Sequence, residues 1–318
     1  SVLLFAAPSF AGQTDGTSGI ALRGLAEEDA RVARIGYALT TANLSLCRVP
    51  ANTAGFTVQA LDQYEPRFRA AARAAFDLDE HVAILAVAPR SPAERAGLQV
   101  GDQLIAVDGR ALPVATAASP HGSYATVEAA LDAIQHALAR GDATLDILRG
   151  DSRRSLVVHP EAGCAVRTQL VTSPRLIAFA DDRYASISTA MARFAADDSE
   201  LAFVIGHELA HGFLRHQALL SGRRNVPRRL VLETERQADY VALYMMACAG
   251  FDIARVPDFL RRFGHARGMV LLFAKDHPSS RERVAAAEAT IVEIRRKQAG
   301  GEPLTPSADF FAAGATAR

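Results

Sequence analysis

His207-Glu208-Leu209-Ala210-His211 is the stretch on which the fold and chemistry of this chain turn. On a helix, residues four apart share a face, so two imidazoles spaced this way can grip one metal ion. Glu208 lies about 100° round the helix from His207, where its carboxylate reaches an attacking water rather than the metal. Just upstream, Asp197 and Glu200 have capping-box spacing. Leu201, Phe203, Val204, Ile205, Leu209, Ala210 and Leu214 make an apolar band too wide for a surface helix. The pattern predicts a buried helix with a polar seam. Two histidines and a glutamate are costly there unless a metal and hydrogen bonds satisfy them.

A catalytic zinc takes three protein ligands and keeps one position for water, so a further ligand must come from elsewhere. The HExxHxxGxxH arrangement is excluded, because Leu214 and Gln217 occupy its glycine and third-histidine positions. His216, five residues beyond His211, reads as a solvated histidine at the helix end. Downstream lie Glu233, Glu235 and Asp239. Glu235 and Asp239 are four apart and share a helix face. Glu235 would ligate the metal while Asp239 accepts a hydrogen bond from a ligating imidazole. Glu233 is the alternative ligand.

At 318 residues the chain should hold two domains, or one large domain with an insert. Its 49% hydrophobic content is enough for real cores. The 35 basic and 35 acidic residues cancel, so no overall basic footprint points to nucleic acid as a partner. Arg223, Arg224, Arg228 and Arg229 read as a solvated loop between helices. No apolar run reaches the roughly 18 residues of a membrane span; those at 241–249 and 269–274 are too short. At the start, Val2-Leu3-Leu4-Phe5-Ala6-Ala7 and Ser9-Phe10-Ala11 look like the end of a signal-peptide apolar region before a cleavage point. This predicts an exported, for example periplasmic, protein, with residues 12–19 as a flexible leader. In such a compartment a disulfide between Cys47 and Cys164 is expected if an insert leaves and returns at neighbouring points. Cys248 reads as a core residue.

Residues 24–47 read as a helix, with Leu25, Val32, Ile35 and Leu39 on one side. A β-rich stretch follows, about 54–160. Within it Ser91 is a natural N-cap, Pro92 fits the first helical position and Glu94 completes a capping box. Gly97 suits a left-handed helix end, and Asp108-Gly109 is a hairpin signal. Residues 144–149 and 154–159 should pair across Gly150-Asp151. Residues 165–300 read as mostly helical, with two short strands within 176–188. Residues 300–318 lack periodicity and read as a disordered tail.

The run SPAERAGLQVGDQLIAVDG, residues 91–109, resembles the bacterial PDZ domains attached to HtrA-type proteases, over roughly 100 residues. The resemblance implies that Gly55, Phe56, Thr57 and Val58 form the loop and strand that receive a peptide C-terminus by strand addition. A helix over 67–76 is placed to cover that groove. Residues 165–290 resemble the CAAX prenyl endopeptidase and HtpX-type gluzincin metallopeptidases. HExxH, the ExxAD of Glu235 to Asp239, and His277-Pro278-Ser279-Ser280-x-x-Arg283 occur in the family's order. The resemblance implies His207, His211 and Glu235 as ligands of one zinc ion per chain, and Glu208 as general base. It places Asp239 and Arg283 behind the ligands, and gives His277 the task of stabilising the oxyanion or capping the metal at rest. Membrane-embedded members carry spanning helices that this sequence lacks, which favours the soluble exported branch.

The expected fold is therefore α+β, a mostly helical gluzincin metallopeptidase domain with an inserted PDZ-like β domain. Its parts are a leader over 1–19, a first helix of the peptidase over 20–53, the PDZ-like domain over 54–160, the metallopeptidase over 161–299 and the tail. The expected function is zinc-dependent endopeptidase action on unfolded polypeptides, the substrate lying along an edge strand near 176–180. Two other readings are a PDZ-type adaptor with a structural metal, and a thermolysin-like digestive protease. The scarcity of cysteine near HELAH speaks against the first, and the His277–Arg283 element against the second.

Overall fold

The computed structural model describes residues 11–47, 49–116, 121–181, 183–221, 225–268, 278–308 and 310. The fold is α+β. Contacts divide the chain into two compact units, residues 1–30 with 52–161 and residues 31–51 with 162–318.

In the first unit, the described residues form a six-stranded sheet. Strands Phe56–Gln59, Val82–Val87, Gln103–Val107, Ala143–Arg149 and Ser152–Val158 follow one another across it, all antiparallel, and Arg110–Ala111 pairs with Gln103–Val107. Local chemistry sets the turns. The Ser91 hydroxyl accepts from the Glu94 amide and Pro92 opens the short helix Pro92–Arg95. Glu94 does not close the box on Ser91; its carboxylate takes the amide of Arg90 instead. Gly97 has φ +81°, and Asp108 and Gly109 have φ 49° and 71°, the positive pair that a type I′ hairpin turn requires. Helix Ala125–Leu138 lays Val127, Ala130 and Ile134 in one core with Val58, Ile84, Leu104 and Leu145. Helix Pro66–Phe76 packs in a smaller cluster, with Ala72 and Phe76 against Leu61, Leu78 and Ala83.

The second unit holds the expected helical part. A three-stranded sheet runs in the order Ala178–Ala180, Tyr184–Ser188, Arg167–Val171, the first pair antiparallel and the second parallel. Helices Asp198–Phe213, Arg228–Cys248, Val256–Gly268 and Ser280–Ala299 share a core with Leu39 and Ile187, centred on Leu201, Phe203, Ile205, Tyr244 and Phe259. Gly36 faces Thr168, where any Cβ would overlap the threonine side chain, so the first helix sits directly on strand Arg167–Val171.

Two terminal expectations change. The first helix is Ala11–Ala42, so residues 12–19 are helical rather than a flexible leader. The signal-like residues 1–10 lie outside the described residues. The segment after Gly300 is docked over its described part, not disordered. Lys297 Nζ donates to the Thr305 carbonyl at 2.7 Å, the Ser307 amide donates to the Tyr240 hydroxyl at 3.0 Å, and Phe310 stacks on Tyr240 at 3.8 Å between centroids. Composition missed this because a few specific contacts anchor the segment, not a periodic apolar face. Cys248 is a half-buried free thiol whose Sγ lies 3.4 Å from the Leu304 carbonyl.

Cys47 and Cys164 are bonded, with Cα atoms 5.4 Å apart and 117 positions of sequence between them. A cross-link closing so long a loop restricts the unfolded chain by up to about 4–5 kcal/mol on the chain-entropy model. The Cys47→Ser protein should therefore show an earlier urea transition of the helical unit, by about 3–5 kcal/mol. Reductant should move wild type to the same midpoint and leave the variant unmoved.

Candidate metal centre

Helix Asp198–Phe213 begins at Asp197, whose side chain accepts from the Glu200 amide at 3.0 Å and from Arg255 at 2.7 Å. This start fixes the register that turns His207 and His211 to one face, with ring centroids 4.7 Å apart. Gly206, on the same helix, meets Ala242 of helix Arg228–Cys248; a Cβ there would lie 3.4 Å from the Ala242 Cβ. Two small residues at the crossing let the helices approach closely. That approach brings Glu235 to both imidazoles.

His207 Nε2 and His211 Nε2 lie 3.1 Å apart. Glu235 Oε2 is 3.4 Å from the first, and Glu235 Oε1 is 3.4 Å from the second. A tetrahedral zinc with bonds of about 2.0–2.1 Å separates its ligand atoms by about 3.3 Å. The three groups, two nitrogens and a carboxylate, therefore fit a zinc-type cation both in spacing and in chemistry. Glu233, the alternative in sequence, is engaged otherwise: its Oε1 accepts from Gln237 at 3.2 Å.

Asp239 holds the first histidine from behind, its Oδ1 2.9 Å from His207 Nδ1. Arg283 grips the same carboxylate with two bonds of 2.7 Å. Arg283 arrives on helix Ser280–Ala299, whose start is fixed by a complete capping box between Ser279 and Glu282. Burial alone would raise the Asp239 carboxyl; the Arg283 charge and the His207 bond outweigh it and hold it down at about 2. Burial would likewise push the His207 imidazole down, but Asp239 and Glu235 together lift it to about 10. A metal ion at its Nε2 would displace that proton. His211 goes the other way, to about 3, through burial and the neighbouring His207 charge.

Because the Asp239 carboxyl is depressed below the ordinary value of about 3.9, it contributes stability that is complete above about pH 4. That contribution is lost as pH falls towards 2. Asp239→Asn should remove this acid-side dependence from chelator-treated protein in urea melts. It should also cost about 3–5 kcal/mol at neutral pH, because Arg283 is left buried without its partner.

Glu208 faces a cavity of about 110 Å³ that His207 and Arg283 also line. Its other walls are apolar: Leu176 to Ala178, Met191, Phe203, Val204, Phe259 and Phe263. Strand Ala178–Ala180 forms one edge of its sheet, with Ile177 and Phe179 exposed by 40% and 48%. His277 lies outside the described residues, as do Arg223 and Arg224. Arg228 and Arg229 belong to the start of helix Arg228–Cys248 rather than to a loop.

His216 corrects the sequence reading. It is not solvated but only 2% exposed, and its Nδ1 lies 3.0 Å from His211 Nδ1. A continuous helix would carry it about 140° away from His211. The chain instead breaks at Arg215, which takes the left-handed conformation at φ 56°, and restarts as helix His216–Leu220. No glycine marks that break, so no local signal announces it. Burial pushes the His216 imidazole down to about 4.

In the first unit, Gly55 has φ +74° and leads into the edge strand that carries Phe56, Thr57 and Val58. Val58 is buried in the core shared with helix Ala125–Leu138, and the register shifts between Thr57 and Val58. Among described residues no helix is long and apolar enough to cross a membrane.

Two family models match parts of the chain. Residues 84–149 match the family model of the PDZ domain, and residues 155–227 match that of peptidase family M48. The second match includes the HELAH pentapeptide and stops short of Glu235. Among solved structures, the crystal structure of the HtrA3 PDZ domain bound to a phage-derived ligand (FGRWV) is 23% identical. That similarity covers 36% of this chain and 88% of that one, with a TM-score of 0.25. No curated protein matches the chain.

Proposed function

We propose that this chain, a metallopeptidase with a PDZ domain, is a zinc-dependent endopeptidase that cuts unfolded or damaged proteins of the cell envelope. The observation that carries the reading is the triangle of His207, His211 and Glu235, spaced for a tetrahedral cation, with Glu208 beside it on a cavity wall. A bound zinc would supply Lewis acidity, polarising the scissile carbonyl and lowering the pKa of water to about 7. Glu208 accepts the proton of the attacking water and returns it to the leaving amine. Asp239 and Arg283 keep the His207 ring fixed throughout. His277 is assigned the oxyanion from its place in the sequence motif.

The strand edge at Ala178–Ala180 supports an extended substrate, bound by backbone pairing. Only a chain that can open into a strand fits such an edge, hence the preference for unfolded polypeptide. An apolar cavity of about 150 Å³ admits benzene; the space of about 110 Å³ beside Glu208 suits an aliphatic side chain next to the scissile bond. The PDZ domain would take peptide C-termini, to recruit substrate or to regulate cutting. The Cys47–Cys164 bond supports an exported, periplasm-like compartment.

Purified protein should contain about one zinc per chain and cut a casein-like unfolded substrate, with aliphatic residues flanking the cut sites. Chelation should stop cutting, and added zinc should restore it. A zinc-loaded protein that binds peptides and never cuts them would favour the adaptor reading and end this one.

A further inference from the structure

Behind His211 runs a line of hydrogen bonds that the catalytic reading does not use. His216 Nδ1 lies 3.0 Å from His211 Nδ1, and His216 Nε2 lies 3.2 Å from Gln237 Oε1. Gln237 Nε2 donates to Glu233 Oε1 at 3.2 Å. The line has a direction, and it starts at its far end. With its amide nitrogen turned to Glu233, Gln237 leaves Oε1 facing His216. That oxygen only accepts, so the proton of a neutral His216 sits on Nε2 and its Nδ1 carries the lone pair. His211 must then donate from Nδ1. Its Nε2, the atom turned to His207 and Glu235, is left with a free lone pair.

We propose that Glu233, Gln237 and His216 form a positioning line that fixes His211 in the tautomer whose Nε2 accepts a divalent transition-metal cation. The proposal rests on the reading of His207, His211 and Glu235 as a metal site. It gives the two metal-facing imidazoles different supports: a charged one for His207, through Asp239 and Arg283, and a neutral relay for His211. The break at Arg215 is what makes the second support available, because it returns His216 to the back of His211.

The test measures zinc affinity of the full chain by competition with a chromophoric chelator, together with urea stability of the chelator-treated protein. His216→Leu removes the acceptor and should weaken zinc binding about 10–100-fold, the usual cost of losing an outer hydrogen-bond partner. His216→Asn, whose side-chain oxygen can accept from His211 Nδ1, should recover most of that loss. Gln237→Leu leaves His216 in place and should weaken binding by a smaller factor; it carries the test should His216→Leu not fold. Equal losses for the leucine and asparagine variants, or unchanged affinity for His216→Leu and Gln237→Leu, would overturn the positioning line. Wild-type protein that binds no zinc would instead overturn the metal reading beneath it.

Discussion

Glu208→Gln protein is expected to bind zinc as tightly as wild type and to cut unfolded polypeptide about 10²–10⁴-fold more slowly. The side chain lies on the wall of the cavity and outside the ligand triangle. Glutamine keeps its size and its place and loses only the ability to take a proton. The loss should fall on kcat rather than on KM, because removing a group that acts in the transition state leaves substrate binding in place. Paired measurements of zinc content and of kcat on a fluorogenic unfolded substrate check both halves. A variant that cuts at the wild-type rate would remove Glu208 from the chemistry. One that loses its zinc would instead move Glu208 into the ligand set.

The second large effect is expected at Glu235. Glu235→Ala should bring zinc content close to zero after ordinary dialysis, a loss of affinity beyond the 10–100-fold of an outer partner. Two imidazoles alone make an incomplete site for this metal. Glu233→Ala is the contrast, because Glu233 stands outside the triangle and acts on His211 only through Gln237 and His216, so its loss should weaken zinc by the smaller factor of an outer partner. The Glu233 variant should keep most of its zinc. If the two variants changed places, the third ligand would be Glu233, and the two helices would cross differently from the arrangement described above.

These outcomes separate what the chain announces locally from what folding assembles. The HELAH pair was legible because both histidines lie within one turn and one helix places them. Asp239 was legible for the same reason relative to Glu235. The turns of the sheet-bearing unit were legible because glycine and Asp-Gly carry their own backbone preferences, seen at Gly97 and Asp108-Gly109. His216 was misread since its position depends on a left-handed break at an arginine, which no local signal marks. The segment near Phe310 was misread because a single aromatic stack and a few hydrogen bonds anchor it, beneath the threshold of any periodicity.

By itself the sequence determined the α+β class, the helix that carries two imidazoles and a glutamate, and the order of the two regions, because each of these rests on short-range pattern. Only the tertiary structure put Glu235 rather than Glu233 beside the two imidazoles, joined Asp239 to Arg283 across 44 positions, and set His216 behind His211. Such choices depend on how closely two helices approach and where a third begins. Gly206 meeting Ala242, and the cap at Ser279, fix those distances through packing that no stretch of sequence contains alone.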